Sequence, residues 1–266
     1  MSEISQPAIL EIRDASVAAL REPSLMVVEE VEWTILPAEF WVVAGQQYSG
    51  KSDLMMLAAG LMNPAGGSCR VFGCETASFG EAQLAERLRV GFVFQGGQLF
   101  NRLTIAENVA LPLRYQKNWT SEQATESVKT LLDILELSPI ADLTPPNVAA
   151  SWRLRAALAR ALILKPELLL LDNPLHGLGV RHRQWLLHFL DQLWRGHEWL
   201  DNRPMTLIVS TEDLRPWQNA RRKFALLHEK KFVPLGLWTE IAATENPMVK
   251  ELLAEPEEII VATKSL

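Results

Sequence analysis

Gly45-Gln46-Gln47-Tyr48-Ser49-Gly50-Lys51-Ser52 is the stretch on which the reading of this chain turns. Its spacing is G-x-x-x-x-G-K-[ST]. In such a segment glycines let backbone N–H groups turn inward around phosphate oxygens, and the helix that follows points its positive end at the same anion. Lys51 is placed to reach terminal phosphates and Ser52 to hold a magnesium ion. The pattern carries weight only between a strand and a helix. Upstream, Phe40-Trp41-Val42-Val43-Ala44 is a compact apolar run arriving at Gly45, the mark of a buried strand. Downstream, residues 52–61 read as a helix closing at Gly60 or at Asn63-Pro64. The competing reading is a plain glycine-containing turn, and the strand–turn–helix setting speaks against it.

Leu168-Leu169-Leu170-Leu171-Asp172 is the second element. A carboxylate at the tip of a buried strand is costly unless it meets a cation, and magnesium held through water is its natural partner. Further strands are expected at 9–12, 26–33, 69–72, 90–94, 205–210, 224–227 and 231–234, and helices at 149–164 and 181–194. Residues 104–137 have a helical pattern, with a capping box at Thr120-Ser121-Glu122-Gln123. Thr144-Pro145-Pro146-Asn147 interrupts the chain, and Lys165-Pro166 ends the helix before Asp172's strand. Strands alternating with helices imply an α/β fold, a mainly parallel sheet with helices on both faces. The helical insert between Gln95 and Leu164 is expected to form a separate lobe.

The chain has 266 residues, 48% of them hydrophobic, enough for one large domain or a domain with a lobe. A formal net charge of -6 gives no long-range attraction to phosphate backbones, which argues against nucleic acid as a partner. Cys69 and Cys74 match no zinc or redox spacing and read as ordinary thiols of a reducing compartment. Residues 1–7 lack the basic-then-apolar order of a signal peptide, and no run approaches the roughly 20 apolar residues that cross a bilayer. A membrane role is therefore expected to come through a partner. The five histidines show no metal spacing, and Trp185, Trp194, Trp199, Trp217 and Trp238 read mostly as core or lobe packing, with a minority open to a membrane partner. Arg153, Arg155 and Arg160 read first as a solvated helix face and second as phosphate ligands, and Arg221-Arg222-Lys223 as loop charges.

These segments together resemble the ATP-binding subunits of ABC transporters over nearly the whole chain. Val90-Gly91-Phe92-Val93-Phe94-Gln95 is similar to the family's Q-loop, whose Gln senses magnesium and links to the membrane partner. Residues 99–109 resemble the segment that follows it, 155–162 the helix after the signature loop, and 166–174 the Walker B region. Within the family, Phe94-Gln95-Gly96-Gly97-Gln98-Leu99-Phe100, Arg155-Ala156-Ala157-Leu158-Ala159-Arg160-Ala161 and Asn246-Pro247-Met248-Val249-Lys250-Glu251-Leu252 resemble the Mla/Mce-type lipid-transport ATPases. The resemblance implies a P-loop NTPase fold of the ABC type, with a mainly parallel core sheet, an antiparallel β subdomain and a helical lobe at about 96–164. It implies a nucleotide-binding domain over 1–240 and a helical C-terminal extension over 241–266, which either wraps a neighbouring subunit or frays. ATP and Mg2+ are the implied cofactors. An ABC permease and a second nucleotide-binding subunit, like or unlike, are the implied partners. Location on the inner face of the membrane, through the permease, follows. ATP contacts fall on Gly45, Gln46, Gln47, Tyr48, Ser49, Gly50, Lys51, Ser52, Asp53 and Gln95, and magnesium contacts on Ser52, Gln95 and Asp172.

The chain also departs from the pattern. Val148-Ala149-Ala150-Ser151-Trp152 stands where the signature L-S-G-G-Q is expected, and Ser151 there reads as a helix cap. Asn173 follows Asp172 in place of the Glu that polarises water, and an amide cannot take a proton. Gly179 replaces the Asp of the D-loop, and Glu212 falls at the switch His. Ala19 stands at the adenine-stacking aromatic, Tyr48 at a usual Gly, and Asp53 at the hydroxyl after Ser52. Asn173 and Glu212 are thus the altered catalytic positions. The expectation is an ATP-binding subunit with impaired or absent hydrolysis; a working ATPase with atypical residues and a non-transport scaffold are the alternatives.

Overall fold

The computed structural model describes residues 7–78 and 84–254. Most of the N-terminal segment read above and the tail from 255 onward lie outside the described residues. Five strands, β3 (Phe40–Ala44), β6 (Val90–Val93), β7 (Leu168–Leu171), β8 (Thr206–Thr211) and β9 (Lys223–His228), form the parallel part of the sheet in the order β9-β3-β8-β7-β6. Their side chains alternate between two cores, as a period of two requires. Phe40, Val42 and Ala44 enter one core with Leu169, Leu171, Leu207 and Val209; Trp41 and Val43 enter the other with Leu168, Leu170 and Ile208. Burial on both faces is why these strands read as unbroken apolar runs.

The antiparallel part is β1 (Leu10–Ala19), β2 (Glu22–Ile35), β4 (Gly66–Val71) and β5 (Cys74–Glu75). The first two strands are far longer than the expected 9–12 and 26–33. Register shifts between Ile12 and Ala15, and again toward Ala19, absorb the polar interruptions that break the alternation in the sequence. β10 (Lys231–Leu237) pairs antiparallel with β9 and touches β2 at Lys231 and Glu29, joining the two parts into one ten-stranded order.

Helix α1 (Lys51–Ala58) follows the phosphate loop, and a short α2 (Leu84–Arg87) precedes β6. The helical pattern at 104–137 resolves into α3 (Ile105–Gln116) and α4 (Ser121–Ile134). The break falls at Asn118, whose φ of 53° no helix accommodates, and α4 begins at the expected Thr120–Gln123 capping box. A second capping box, Thr104 with Glu107, starts α3. Ile105, Val109 and Leu113 of α3 meet Leu154, Leu158 and Leu162 of α5 (Ala150–Leu162), each set at helical spacing. They share one buried cluster with Phe40 and Leu171, so the lobe is an outgrowth of the main core rather than a separate body. Helix α6 (Val180–Arg195) covers the same face of the sheet through Leu186, Phe189, Leu190 and Leu193.

Arg222 overturns its reading as a loop charge. It is buried under Phe40, 4.5 Å from the ring centroid, and paired with Asp191 at 2.6 Å. The five tryptophans do pack: Trp217 is fully buried, and the other four lie against the core. The tail begins with α7 (Trp238–Ala242) and α8 (Pro247–Leu253). Ile241, Val249 and Leu252 are buried in the main core, so through residue 254 the tail is docked on its own chain rather than frayed. Among the described residues no helix is long and apolar enough to cross a membrane.

Candidate functional site: the phosphate loop and the strand ends beside it

β3 ends at Ala44, and the chain turns over Gly45, whose N–H donates to the Thr211 carbonyl at 3.2 Å. A Cβ on Gly45 would stand 2.5 Å from the Leu227 carbonyl oxygen. Gly50, at φ 90°, caps α1, and a Cβ there would press on Val27 and Val28 at 3.0–3.1 Å. Both glycines are therefore steric requirements of the loop. Tyr48 also has a left-handed backbone, φ 64°, where a glycine would cost nothing; its side chain is 94% exposed, so the ring does not plug the loop.

Lys51 is buried, and its ammonium donates to the Gly45 carbonyl at 2.8 Å, the Gln46 carbonyl at 2.5 Å and Ser49 Oγ at 3.4 Å. Burial lowers its pKa; the charges of Glu212 and, less strongly, Asp172 oppose that shift. Ser52 Oγ donates to Asp172 Oδ2 at 2.7 Å, across 120 residues of sequence, which joins the two elements read as a pair. Ser210 Oγ donates to Asp172 Oδ1 at 2.6 Å and accepts the Asn173 N–H at 2.8 Å. Asn173 Nδ2 donates to Glu212 Oε1 at 3.3 Å. One hydrogen-bonded chain thus runs from Ser52 through Asp172, Ser210 and Asn173 to Glu212.

A cavity of about 360 Å3 opens over these groups. Its wall carries Gln47, Tyr48, Ser49, Gly50, Lys51, Ser52, Asp53, Gln95, Asp172, Asn173 and Glu212, nearly all of the expected site residues. Gly45 and Gln46 lie off the wall: Gly45 packs beneath the loop, and Gln46 Nε2 donates to Glu251 of α8 at 2.8 Å. Ala19 lines the cavity at the position expected for the stacking aromatic, with Leu25 and Val27 as its apolar company. One oxygen of Asp53 accepts the Leu20 N–H at 2.9 Å, so part of that side chain serves to hold the β1–β2 turn. Ser210 and Glu251 were not anticipated. A hydroxyl at the end of an apolar strand was the available signal for Ser210; nothing local marks Glu251, which arrives from 205 residues away in the sequence.

The region expected to hold the signature loop is built differently. Ala149 is the N-cap of α5 and offers no side-chain bond, while Ser151 lies inside the helix, which corrects its reading as the cap. Trp152 stands edge-on to His182 at 5.5 Å, and the Arg155 guanidinium lies over Trp152 at 4.5 Å and over Trp185 at 3.6 Å. Arg155 is buried and paired with Glu136 at 2.7 Å. Arg153 donates to the Val148 carbonyl, and Arg160 to the carbonyls of Gly97 and Gln98. These arginines bind the lobe together, contrary to the expected solvated face, because their partners are backbone carbonyls and rings that no helical pattern reveals. Desolvation first, then Arg155 and Arg181, lowers the His182 pKa.

Among the described residues no three His, Cys, Asp or Glu side chains stand close enough to hold a metal unaided. Burial pushes the Cys69 thiol up to about 12, which keeps it protonated and unreactive. A second, shallower groove of about 640 Å3 lies between β6, α3 and α5; Phe94, Gln98 and the exposed Phe100 and Tyr115 border it.

The chain is 33% identical over 236 residues to a methionine import ATP-binding protein of Lacticaseibacillus paracasei, covering 88% of this chain and 65% of that one. It is 30% identical to a sulfate/thiosulfate import ATP-binding protein of Synechococcus elongatus, covering 84% and 61%. A putative ABC transporter ATP-binding protein of Caldanaerobacter subterraneus is 29% identical, covering 88% and 95%. The chain therefore spans less than two thirds of the two import proteins and nearly all of the third. Among solved structures, the dimeric ATP-binding cassette MJ0796 in a post-hydrolysis state with ADP and Pi superposes with a TM-score of 0.72 at 24% identity, covering 84% of this chain and 95% of that one, a likeness of fold. The family profile described as ABC transporter matches residues 28–176, more than half of the chain and the whole stretch from the phosphate loop to Asn173, and the chain belongs to the ABC transporter family.

Proposed function

We propose that this chain is the ATP-binding subunit of an ABC transporter of the lipid-handling Mla/Mce type, that it holds ATP with Mg2+ on the loop at 45–52, and that its own hydrolytic capacity is impaired or absent. One observation carries this reading: an ordered phosphate cradle sits beside strand ends that present an amide bonded to a carboxylate, Asn173 to Glu212. The cradle fits a nucleotide, since residues 47–52 line one cavity around Lys51 while Gly45 and Gly50 let the loop backbone pack closely on its floor. Lys51 is the cation for the terminal phosphates, and the N-terminus of α1 faces the same anion. The donor set fits magnesium, since Ser52, Asp172 and Gln95 offer hard oxygens on one wall. Magnesium, when bound, neutralises charge on the phosphates. Asn173 can orient a water through its amide but cannot accept its proton. Glu212 adds negative charge beside Lys51 where a transition state gaining negative charge calls for donors.

Gln95 lies on the nucleotide cavity, and its neighbours Phe94 and Gln98 border the groove with Phe100 and Tyr115. That continuity supports the groove as the seat of a helix from the permease, through which the chain sits on the inner face of the membrane. The lipid assignment leans on the resemblance at 94–100, 155–161 and 246–252. Relatives named for import of methionine and of sulfate/thiosulfate favour a second reading, import of a small solute. The chain purified with its permease separates the two: phospholipid transfer supports the first, and uptake of such a solute without lipid transfer replaces it.

The central test uses the purified chain, a fluorescent ATP analogue with Mg2+, and phosphate release. Binding that disappears in Lys51→Ala, with turnover at background, is the expected result. Steady-state turnover that Lys51→Ala abolishes would overturn the hydrolytic part of the reading, and no binding in the unaltered chain would overturn the rest.

A further inference from the structure

We propose that Glu212 makes this site selective for the metal complex of a nucleotide, so that free nucleotide is rejected by charge and enters only with a divalent cation. The inference rests on the ATP-binding reading above and specifies which form of the nucleotide the site accepts.

Three carboxylates, Asp53, Asp172 and Glu212, line the cavity against one ammonium, Lys51. They are not equally available. Asp53 accepts the Leu20 N–H, and Asp172 is held at both oxygens by the hydroxyls of Ser52 and Ser210. Glu212 has a single bond, at the long end of the range, from the Asn173 amide to Oε1. Among the described residues Oε2 has no hydrogen-bond partner, and the side chain is half-buried beside the phosphate loop. Its field at Lys51 exceeds that of Asp172, which places its charge close to where Lys51 meets terminal phosphates. A triphosphate arriving without a cation meets a wall that is already net negative.

No three acidic, His or Cys side chains among the described residues can hold a metal by themselves. The cation therefore arrives with the nucleotide, completing its coordination with phosphate oxygens, as magnesium does when it keeps one or two carboxylates and takes the rest from substrate. Glu212 is free to turn toward that cation, whereas Asp172 is held at both oxygens and Asp53 is tied to the β1–β2 turn. Two unit charges about 6 Å apart at an effective dielectric of about 20 interact by an amount equal to about a hundredfold in affinity. Removing the Glu212 charge is expected to recover a good part of that for metal-free nucleotide.

The test is equilibrium binding of a fluorescent ATP analogue to the full chain, in Mg2+ and in EDTA. The unaltered chain is expected to lose at least about a hundredfold in affinity when Mg2+ is removed. Glu212→Gln is expected to bind about tenfold or more tightly in EDTA and so to narrow the gap between the two buffers, and Glu212→Asp to keep the strict demand for metal. Affinity of the unaltered chain in EDTA within about tenfold of that in Mg2+ overturns the proposal without any variant. So does Glu212→Gln with unchanged EDTA affinity, while ATP binding itself stands. Absence of binding in both buffers overturns the ATP-binding reading and this inference with it.

Discussion

Ser210→Ala removes one oxygen atom and with it two bonds at the centre of the site. Ser210 is fully buried; its hydroxyl donates to Asp172 Oδ1 at 2.6 Å and accepts the Asn173 N–H at 2.8 Å. Asp172 and Asn173 are themselves only 6% and 8% exposed, so the orphaned groups are poorly placed to regain a partner from water. The space vacated is one oxygen, too small for a water molecule. A buried hydrogen bond to a charged group contributes about 1.5–3 kcal/mol, and stranding a buried N–H costs about 1–3 kcal/mol. Allowing for local relaxation, the loss is expected to be about 3 kcal/mol. Urea unfolding followed by tryptophan fluorescence measures it as a lower midpoint with an unchanged slope. The same variant should need roughly tenfold more Mg2+ for half-maximal nucleotide binding, because Asp172 loses one of the two hydroxyls that orient it. A loss under about 0.5 kcal/mol with an unaltered Mg2+ titration would refute the claim that this serine holds Asp172 in place.

Asn108 is fully buried and clamps the loop before α3: its Oδ1 accepts the Phe100 N–H at 2.8 Å, and its Nδ2 donates to the carbonyls of Phe100, Leu103 and Thr104. Asn108→Ala should cost about 2–3 kcal/mol and open residues 96–104 to limited proteolysis, with unchanged cleavage counting against the clamp. His182 has a folded-state pKa below 6.5, so between that lower value and 6.5 the unfolded chain binds more protons than the folded one. Its contribution is full above 6.5 and is lost as pH falls below it; His182→Gln should flatten that part of the stability profile, and Arg155→Met should raise the His182 pKa in an NMR titration. Glu167 is held below its usual value by the hydrogen bonds from Arg89, at 2.7 and 2.9 Å. That stabilisation is present above about 4.5 and disappears as pH drops through the lowered folded value, so Glu167→Gln should remove this acid-side slope by lowering neutral stability modestly, the pair being exposed, while leaving stability below the lowered value unchanged.

What was legible in the sequence was set by local rules. The phosphate loop needs glycine at Gly45 and Gly50 for steric reasons that act within the loop and its floor, so the motif announces itself. The central strands are buried on both faces and read as apolar runs; the capping box at Thr120 and Gln123 is a three-residue relation. The misread features depend on distant partners. The β1–β2 ribbon is long because bulges repair its alternation, and a bulge leaves no mark in a period of two. Arg155 and Arg222 look solvent-facing by spacing, yet each is buried against aromatic rings supplied by other elements. Within the site, Ser52 and Asp172 were paired by motif, whereas Ser210 joins them only because β7 and β8 are neighbours in the sheet.

The same neighbour relation explains why Asn173 and Glu212, at the two strand ends, belong together. β7 and β8 run parallel and side by side, which brings the residue after Asp172 and the residue after Thr211 to one place, with Asn173 Nδ2 3.3 Å from Glu212 Oε1. A carboxylate at 173 opposite the carboxylate at 212 would put two like charges at about 4 Å, a repulsion on the order of 4 kcal/mol at an effective dielectric near 20, before any phosphate arrives. With Glu212 in place, an amide at 173 is the isostere that turns this repulsion into a hydrogen bond. Placing Glu at 173 alone therefore supplies a base only against that repulsion, and a carboxylate held so close to another has its proton affinity raised rather than tuned for water. The two positions form one electrostatic unit, and its sign, set by Glu212, governs both which form of nucleotide is admitted and whether the neighbouring side chain can act as a base.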